Sequence, residues 1–186
     1  MTHQPRLLIL IVAYNAEKTI SEVVARVPPG LADEYHVEAL VLDDSSQDRT
    51  FETSRDVQRA GAVPFPLHVL FNPANQGYGG NQKFGYRWAI EEGLDIVVLL
   101  HGDGQYAPEV MEQIVSPLIT GEADVVMGSR MMQRGSALKG GMPLYKYVGN
   151  RILSCSRTAC STCASASSTR ATASTRSRRS RRSRSR

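Results

Sequence analysis

Apolar residues fall along this chain in short uninterrupted runs, separated by longer stretches in which they recur every three or four positions. Leu7 to Ala13 is a continuous apolar run of strand length, the pattern of a strand buried on both faces. From Ala16 to Val27 the apolar positions Ile20, Val23, Val24 and Val27 have helical spacing, and Pro28, Pro29 and Gly30 close the segment. Val37 to Leu42 is the next strand and ends on Asp43 and Asp44, with Ser45 or Ser46 placed to cap a helix over about Gln47 to Ala60. "PFPLHVLFNP" holds a short third strand bounded by prolines. Gly77 to Glu92 reads as a loop running into a helix, and Ile96 to Leu100 as a fourth strand. Pro108 opens a further helix with Val110, Ile114, Val115 and Leu118 on one face, and Ala123 to Met127 is a fifth strand. The alternation predicts an α/β fold, a mostly parallel sheet covered by helices.

Charge divides the chain. The whole carries a formal net charge of +4 over 186 residues, but residues 1–150 hold 12 basic and all 18 acidic residues, net −6. Residues 151–186 hold ten arginines and no acid. From Ser154 onward there is no Val, Ile, Leu, Met, Phe, Tyr or Trp, so this segment has almost nothing to bury and is not expected to fold alone. Cys155, Cys160 and Cys163 all lie in it; with no histidine following, they fall short of the four ligands of a structural zinc site. A front part without cysteine and a start without a signal peptide predict a cytoplasmic setting, and the run at 7–13 is too short to span a bilayer. The Ser/Arg-rich end has the charge to meet nucleic acid or to fold on a partner. No aromatic residue is interleaved there for stacking, so nucleic acid is not an expected partner.

In parallel sheets, ligands bind beyond the carboxyl ends of the strands, and the unusual polar residues here lie at those ends. The first strand delivers "AYNAE", the second "DDSSQDRT", the fourth "HGDGQ" and the fifth "GSR". Asp44 and Asp103 sit on separate strands and are placed to face one cleft. The plainer alternative is that Asp43 and Asp44 cap a helix with the adjacent serines, and the spacing alone leaves both open. "VAYNAEKTI" has no glycine, so the dinucleotide-binding turn is absent, and so is a Walker loop. Carboxylate and amide oxygens are hard ligands suited to Mg2+ or Mn2+, which reach proteins through one or two carboxylates plus substrate phosphates. Asp103 fits that role, with Gly102 and Gly104 expected to leave room for a diphosphate.

Taken in order, "IVAYNAEKTI", "VLDDSSQDRT", "NQGYGGNQKFGYRWAI", "LLHGDGQYAP" and "VVMGSRM" resemble the nucleotide-sugar half of a family 2 glycosyltransferase. The resemblance is nearest to the branch of polyprenyl-phosphate (dolichol-phosphate) mannose and glucose synthases and covers about residues 5 to 153. It implies the GT-A fold, a three-layer sandwich, and an inverting transfer from a UDP- or GDP-sugar with Mg2+ or Mn2+. The implied acceptor is a polyprenyl phosphate or another acceptor at a membrane surface, which makes the cytoplasmic membrane a peripheral site of action. Carried over residue by residue, Ala13, Tyr14 and Asn15 border the base, and Asp43 and Asp44 hold the nucleoside, Asp44 being the nearer partner. Asp103 with Gln105 forms the metal site, and Arg130 lies near the diphosphate.

The sequence departs from the family at several points. His101 stands where the family has the first aspartate of its D-x-D motif, and offers a nitrogen ligand or only a hydrogen bond. Val12 replaces a frequent proline and Ala16 a frequent glutamate. After "YKYVGNRIL" the family continues into an acceptor-binding half carrying an Asp or Glu base; from Ser154 this chain has no carboxylate, no histidine and no large apolar residue. An abrupt switch to Ser, Arg, Thr, Ala and Cys is what reading a GC-rich gene in the wrong frame produces. The expected division is therefore a donor-binding region at 1–153, incomplete relative to the family, and a disordered or frameshifted segment at 154–186. No catalytic base is assigned, and turnover by this chain is expected to be poor. The alternative is a noncatalytic nucleotide-sugar-binding remnant or a basic-tailed, RNA-associated protein.

Overall fold

A computed structural model describes residues 4–128, 149 and 173–176. The chain clusters into two units, residues 1–126 with 172–186, and residues 127–171; the account below concerns the first. Its elements in chain order are β1 (Arg6–Ala13), α1 (Ile20–Ala25), α2 (Leu31–Glu34), β2 (His36–Asp43), α3 (Thr50–Arg59), β3 (Leu67–Phe71), α4 (Gly77–Glu91), β4 (Ile96–His101), α5 (Met111–Ile119), β5 (Val125–Met127) and β6 (Ala173–Arg176). The sheet order is β3-β2-β1-β4-β6-β5, with β1 parallel to both β2 and β4 and β2 parallel to β3.

The apolar runs are the strands at the centre of this sheet. Leu7 to Ala13 of β1 are all buried because helices cover both faces. Leu7, Ile9 and Ile11 point to the side where Ile20, Val23 and Val24 of α1, Leu31 of α2 and Met111, Val115 and Leu118 of α5 pack. Leu8, Leu10 and Val12 point to the opposite side, against Ala89 and Trp88 of α4. At Gly85, α4 comes so close to β1 that a Cβ built there would stand 2.4 Å from a methyl of Leu10. Any side chain larger than hydrogen would push the helix away from the sheet.

α1 and α3 are shorter than the periodicity suggests. Residues 16–19 form a turn before α1, and α3 starts only at Thr50, after a six-residue loop at 44–49. Neither serine caps α3. Its start is held instead by Asp48, whose Oδ1 accepts from the Thr50 amide at 3.0 Å and whose Oδ2 accepts from the Glu17 amide at 3.2 Å. The loop expected before α4 is already helical from Gly77, and α2 has no counterpart in the sequence reading.

Four residues of the basic segment, Ala173–Arg176, form β6 and pair antiparallel with β4, Val98 opposite Ser174 and Ile96 opposite Arg176. A segment with no large apolar side chain pairs here through main-chain hydrogen bonds with an existing strand edge, which spares it from building a core of its own.

Register sets the strand ends in a row. Ala13 lies opposite Asp43, Val12 opposite His101, and Asp43 opposite Phe71. The ladder continues one step further, through Asp44 N to Ala13 O and Gly102 N to Val12 O, each 2.9 Å. The polar residues that follow the strands therefore emerge side by side at one edge of the sheet.

Candidate active site

Beyond those carboxyl ends opens a cleft of about 350 Å³. The end of β1 contributes Val12, Ala13 and Tyr14; β2 contributes Asp44; the start of α4 and the loop before it contribute Asn75, Gly77, Tyr78 and Asn81; β4 contributes His101, Gly102 and Asp103. Asp44 and Asp103 thus face one cleft. The described residues that line it include no Lys or Arg.

Asp44 is almost wholly buried, at 3% exposure, and belongs to a closed network. Its Oδ1 accepts from Asn72 Nδ2 at 3.0 Å and from the Gln76 amide at 2.8 Å. Asn72 Nδ2 also donates to Asn81 Oδ1 at 3.1 Å, and Asn81 Nδ2 donates to the Leu42 carbonyl at 3.0 Å. One carboxylate oxygen is thereby occupied in fixing the start of α4, and the side chain is oriented by two partners in the connection between β3 and α4. Asn72 and Asn81 were not singled out from the sequence, although three asparagines between β3 and the second turn of α4 were the signal available.

Of the two aspartates expected to hold a nucleoside, only Asp44 lines the cleft. Asp43 is fully buried; its Oδ1 accepts from the amide and hydroxyl of Ser46, and its Oδ2 has no hydrogen-bond partner. Burial pushes its carboxyl above the usual range, against the lowering effect of the Ser46 hydrogen bonds. The helix-capping alternative is also half met, since Asp43 organises a turn with Ser46 but caps no helix.

Asn15 and Ser45 carry positive φ angles of 50° and 63°, so the chain reverses sharply just after β1 and β2. The two loops are tied together: the Asn15 amide donates to Ser46 Oγ at 2.9 Å, Asn15 Oδ1 accepts from the Gln47 amide at 2.9 Å, and the Ala16 amide donates to Thr50 Oγ1 at 2.7 Å. Asn15 therefore shapes the rim, while Tyr14, 52% exposed, lines the cleft. Asp48 fastens the same loops. Burial alone would raise its carboxyl, but hydrogen bonds from the Thr50 hydroxyl and the Glu17 and Thr50 amides outweigh this and hold it below the usual range.

Asp103 is exposed at the mouth of the cleft, with Oδ1 accepting from the Gln105 amide at 3.0 Å. The Gln105 side chain is not part of the lining. Gly102 is small for a reason other than ligand access: a Cβ there would lie 3.1 Å from Ala13 Cβ and 3.2 Å from Ala16 Cβ, so the end of β4 presses on the end of β1. Gly104 has φ +72°, a conformation that favours glycine. His101 lies at the cleft wall, its Nε2 3.1 Å from the Tyr78 hydroxyl. Arg130 lies outside the described residues.

Among the described residues no group of three or more His, Cys, Asp or Glu is arranged to hold a metal ion. A single exposed carboxylate among described lining residues that include no Lys or Arg suits a hydrated divalent ion that takes its remaining ligands from a phosphate group. The donor set fits an ion shared with a diphosphate and does not fit one caged by the protein.

The model of the family described as "Glycosyl transferase family 2" matches residues 8–171. The chain belongs to glycosyl transferase family 2. The match continues past Leu153 into the basic segment. Among curated relatives, the UDP-N-acetylglucosamine–dolichyl-phosphate N-acetylglucosaminyltransferase of Methanococcus voltae is 30% identical over 155 residues, 78% of this chain and 59% of the relative. The undecaprenyl-phosphate mannosyltransferase of Micrococcus luteus is 32% identical over 130 residues, 70% of this chain and 50% of the relative. The chain spans about half the length of the curated relatives it matches.

The fold is GT-A. A mannosyltransferase from Pyrobaculum calidifontis, solved with GDP-Man and Mn2+, superposes with a TM-score of 0.54 at 20% identity, covering 67% of this chain and 35% of that one. The glucosyl-3-phosphoglycerate synthase of Mycobacterium tuberculosis, solved with Mn2+, UDP-glucose and phosphoglyceric acid, superposes with a TM-score of 0.58 at 20% identity, covering 94% and 57%.

Proposed function

We propose that the described cleft is the donor site of a glycosyltransferase, binding a UDP- or GDP-sugar together with Mg2+ or Mn2+. The observation that carries this reading is the placement of Asp44 and Asp103, from the ends of β2 and β4, on one cleft across the end of β1. Asp44, held by Asn72 and Gln76, offers its second oxygen to a donor group on the base. Tyr14 gives the base an apolar face, with Ala13 beside it. Asp103 carries the ion that meets the diphosphate. An ion held by Asp103 would offset the charge of the diphosphate in a cleft whose described lining holds two carboxylates and no cation, and would supply Lewis-acid stabilisation of the departing nucleoside diphosphate.

The acceptor in this reading is a polyprenyl phosphate or a similar group at a membrane surface, supported by the names of the relatives. No described helix is long and apolar enough to cross a membrane, so such contact would be peripheral through these residues. Transfer also needs the acceptor oxygen held in line and relieved of its proton. The described cleft supplies only the donor side.

Isothermal titration calorimetry of the full chain with GDP-mannose, UDP-glucose and UDP-N-acetylglucosamine, in Mn2+ and in EDTA, tests the reading. Binding of at least one donor in Mn2+, weakened about tenfold or more in EDTA, is expected. Equal affinity in both conditions, or no binding at all, contradicts it.

A further inference from the structure

The connection that carries Asp103 from β4 toward α5 alternates in burial residue by residue. Gly102 is buried and Gly104 and Tyr106 are half-buried, whereas Asp103, Gln105 and Ala107 are exposed. The inward residues rest on one face of α1, where Thr19, Val23 and Arg26 follow each other at helical spacing. Thr19 stands at the N-cap of α1, yet its hydroxyl makes no capping bond. It donates instead to the Gly102 carbonyl at 2.5 Å, with the Ala16 carbonyl at 3.3 Å. A Cβ built on Gly104 would come within 3.8 Å of Val23 and 3.9 Å of Thr19, so this glycine lies against the middle of the face. At the far end, Arg26 Nε and Nη2 donate to Glu109 Oε1 and Oε2 at 2.7 and 3.2 Å, and Nη2 also lies 3.4 Å from the Tyr106 carbonyl. Glu109 belongs to the short helical turn Pro108–Val110 that leads into α5. The hydrogen bond from Arg26 holds its carboxyl below the usual range, so the pair is charged at neutral pH.

We propose, on the basis of the donor-site reading above, that Thr19 and Arg26 are positioning residues: the α1 face they bracket holds residues 102–109 so that Asp103 is turned to the cleft. With Gly102 and Gly104 drawn inward, the residue between them is left facing out. An exposed carboxylate has no packing of its own to set its place, and the one hydrogen bond it accepts, from the Gln105 amide, is local to the loop. Past the ladder bond from Gly102 N to Val12 O, α1 supplies a hold at each end of the loop. Neither Thr19 nor Arg26 is among the residues that line the cleft, so both act through Asp103. An ion pair as exposed as Arg26–Glu109 contributes little to global stability. Its effect falls on where the loop sits, and is separable from folding.

The test combines hydrogen exchange of the ligand-free full chain with calorimetry of GDP-mannose, UDP-glucose and UDP-N-acetylglucosamine in Mn2+ and in EDTA, on Thr19→Val, Thr19→Ser, Arg26→Ala and Arg59→Ala. Thr19→Val keeps the shape and loses the hydroxyl, and Thr19→Ser keeps the hydroxyl. Arg59→Ala removes an equal charge from an exposed pair with Asp56 on α3. Thr19→Val and Arg26→Ala are expected to speed exchange of the 103–106 amides about tenfold with β1 and β2 unchanged. They also weaken donor binding in Mn2+ about tenfold and leave the weaker binding in EDTA unchanged. Thr19→Ser and Arg59→Ala behave as the wild type in both measurements. Unchanged exchange at 103–106 in either Thr19→Val or Arg26→Ala overturns the role of that residue. Faster exchange spread equally over β1 and β2, a loss of donor binding equal in Mn2+ and EDTA, or an equal effect of Arg59→Ala overturns the inference as a whole. A wild type that binds no donor in Mn2+ refutes the donor-site reading instead, and the exchange series then decides by itself whether α1 holds the loop.

Discussion

The imidazole of His101 and the hydroxyl of Tyr78 stand 3.1 Å apart, joining the last residue of β4 to the second residue of α4. On the other flank, Asp44 at the end of β2 holds the Gln76 amide at 2.8 Å, just ahead of the same helix. The start of α4 is therefore fastened to two strand ends, and the cleft lies between the fasteners. Its shape is fixed by contacts that exist without any ligand, which lowers the ordering cost of binding.

The two carboxylates differ in what their loss does. Asp103→Asn removes an exposed charge, so stability changes by no more than about 0.5 kcal/mol while the metal-dependent part of donor binding disappears. Asp44→Asn keeps an acceptor for Asn72 and Gln76 but removes the second carboxylate oxygen, and weakens donor binding in EDTA and in Mn2+ alike. Asp44→Ala also leaves buried donors unpaired and costs about 1–3 kcal/mol. Calorimetry in both buffers with thermal melts separates the three outcomes.

Asp43 gives a pH signature. Burial raises its carboxyl in the folded state, so its contribution to stability is fully present below the unfolded carboxyl range, near about 3.9, and is lost as pH rises through the raised folded value. Asp43→Asn keeps the acceptor for Ser46 and removes the buried charge. The variant should gain on the wild type as pH rises from 4 to 7, measured by urea unfolding at each pH. A difference independent of pH would contradict this account of Asp43.

Gly85→Ala tests how tightly α4 must seat. The added methyl meets the fully buried Leu10 side chain, an overpacking expected to cost about 1–3 kcal/mol. Because α4 carries Tyr78 and Asn81 into the cleft, donor affinity falls with stability. Denaturant unfolding and a donor titration on the same sample check both.

Much of this was legible in the sequence, and for a physical reason. Strands buried on both faces must be apolar throughout, so Leu7 to Ala13 and Ile96 to Leu100 stand out, and with parallel strands the polar residues after them are forced to one edge. That argument places Asp44 and Asp103 at one edge of the sheet, where the spacing alone left a shared cleft and a helix-capping role for Asp43 and Asp44 both open. What could not be read was which side chains the protein spends on itself. Asp43 and Asp44 are adjacent and alike, yet the β pleat sends one into the interior and the other to the cleft. Gly102 looked like room for a ligand and proves to be room for Ala13 and Ala16, a contact between elements about 90 residues apart. The Asn72–Asn81–Asp44 network and the contacts of the His101 ring with Tyr78 and Tyr106 likewise join residues that local spacing does not bring together.

β6 makes a claim about the basic segment. Removing residues 172–186 deletes the partner of Ile96 to Val98, so β4 amides that face β6 should lose protection in hydrogen exchange and the chain should aggregate more readily. Unchanged exchange over residues 96–98 would show that this pairing contributes nothing to the folded protein.

The most direct test of the donor cleft is a crystal structure of the chain with Mn2+ and UDP or GDP, with the ion located by anomalous scattering at the manganese edge. The account predicts an anomalous peak within about 2.6 Å of an Asp103 carboxylate oxygen, bridged to the diphosphate, with the base beside Tyr14 and hydrogen-bonded to Asp44. Manganese and nucleotide bound away from Asp103 and Asp44 would contradict the account as a whole.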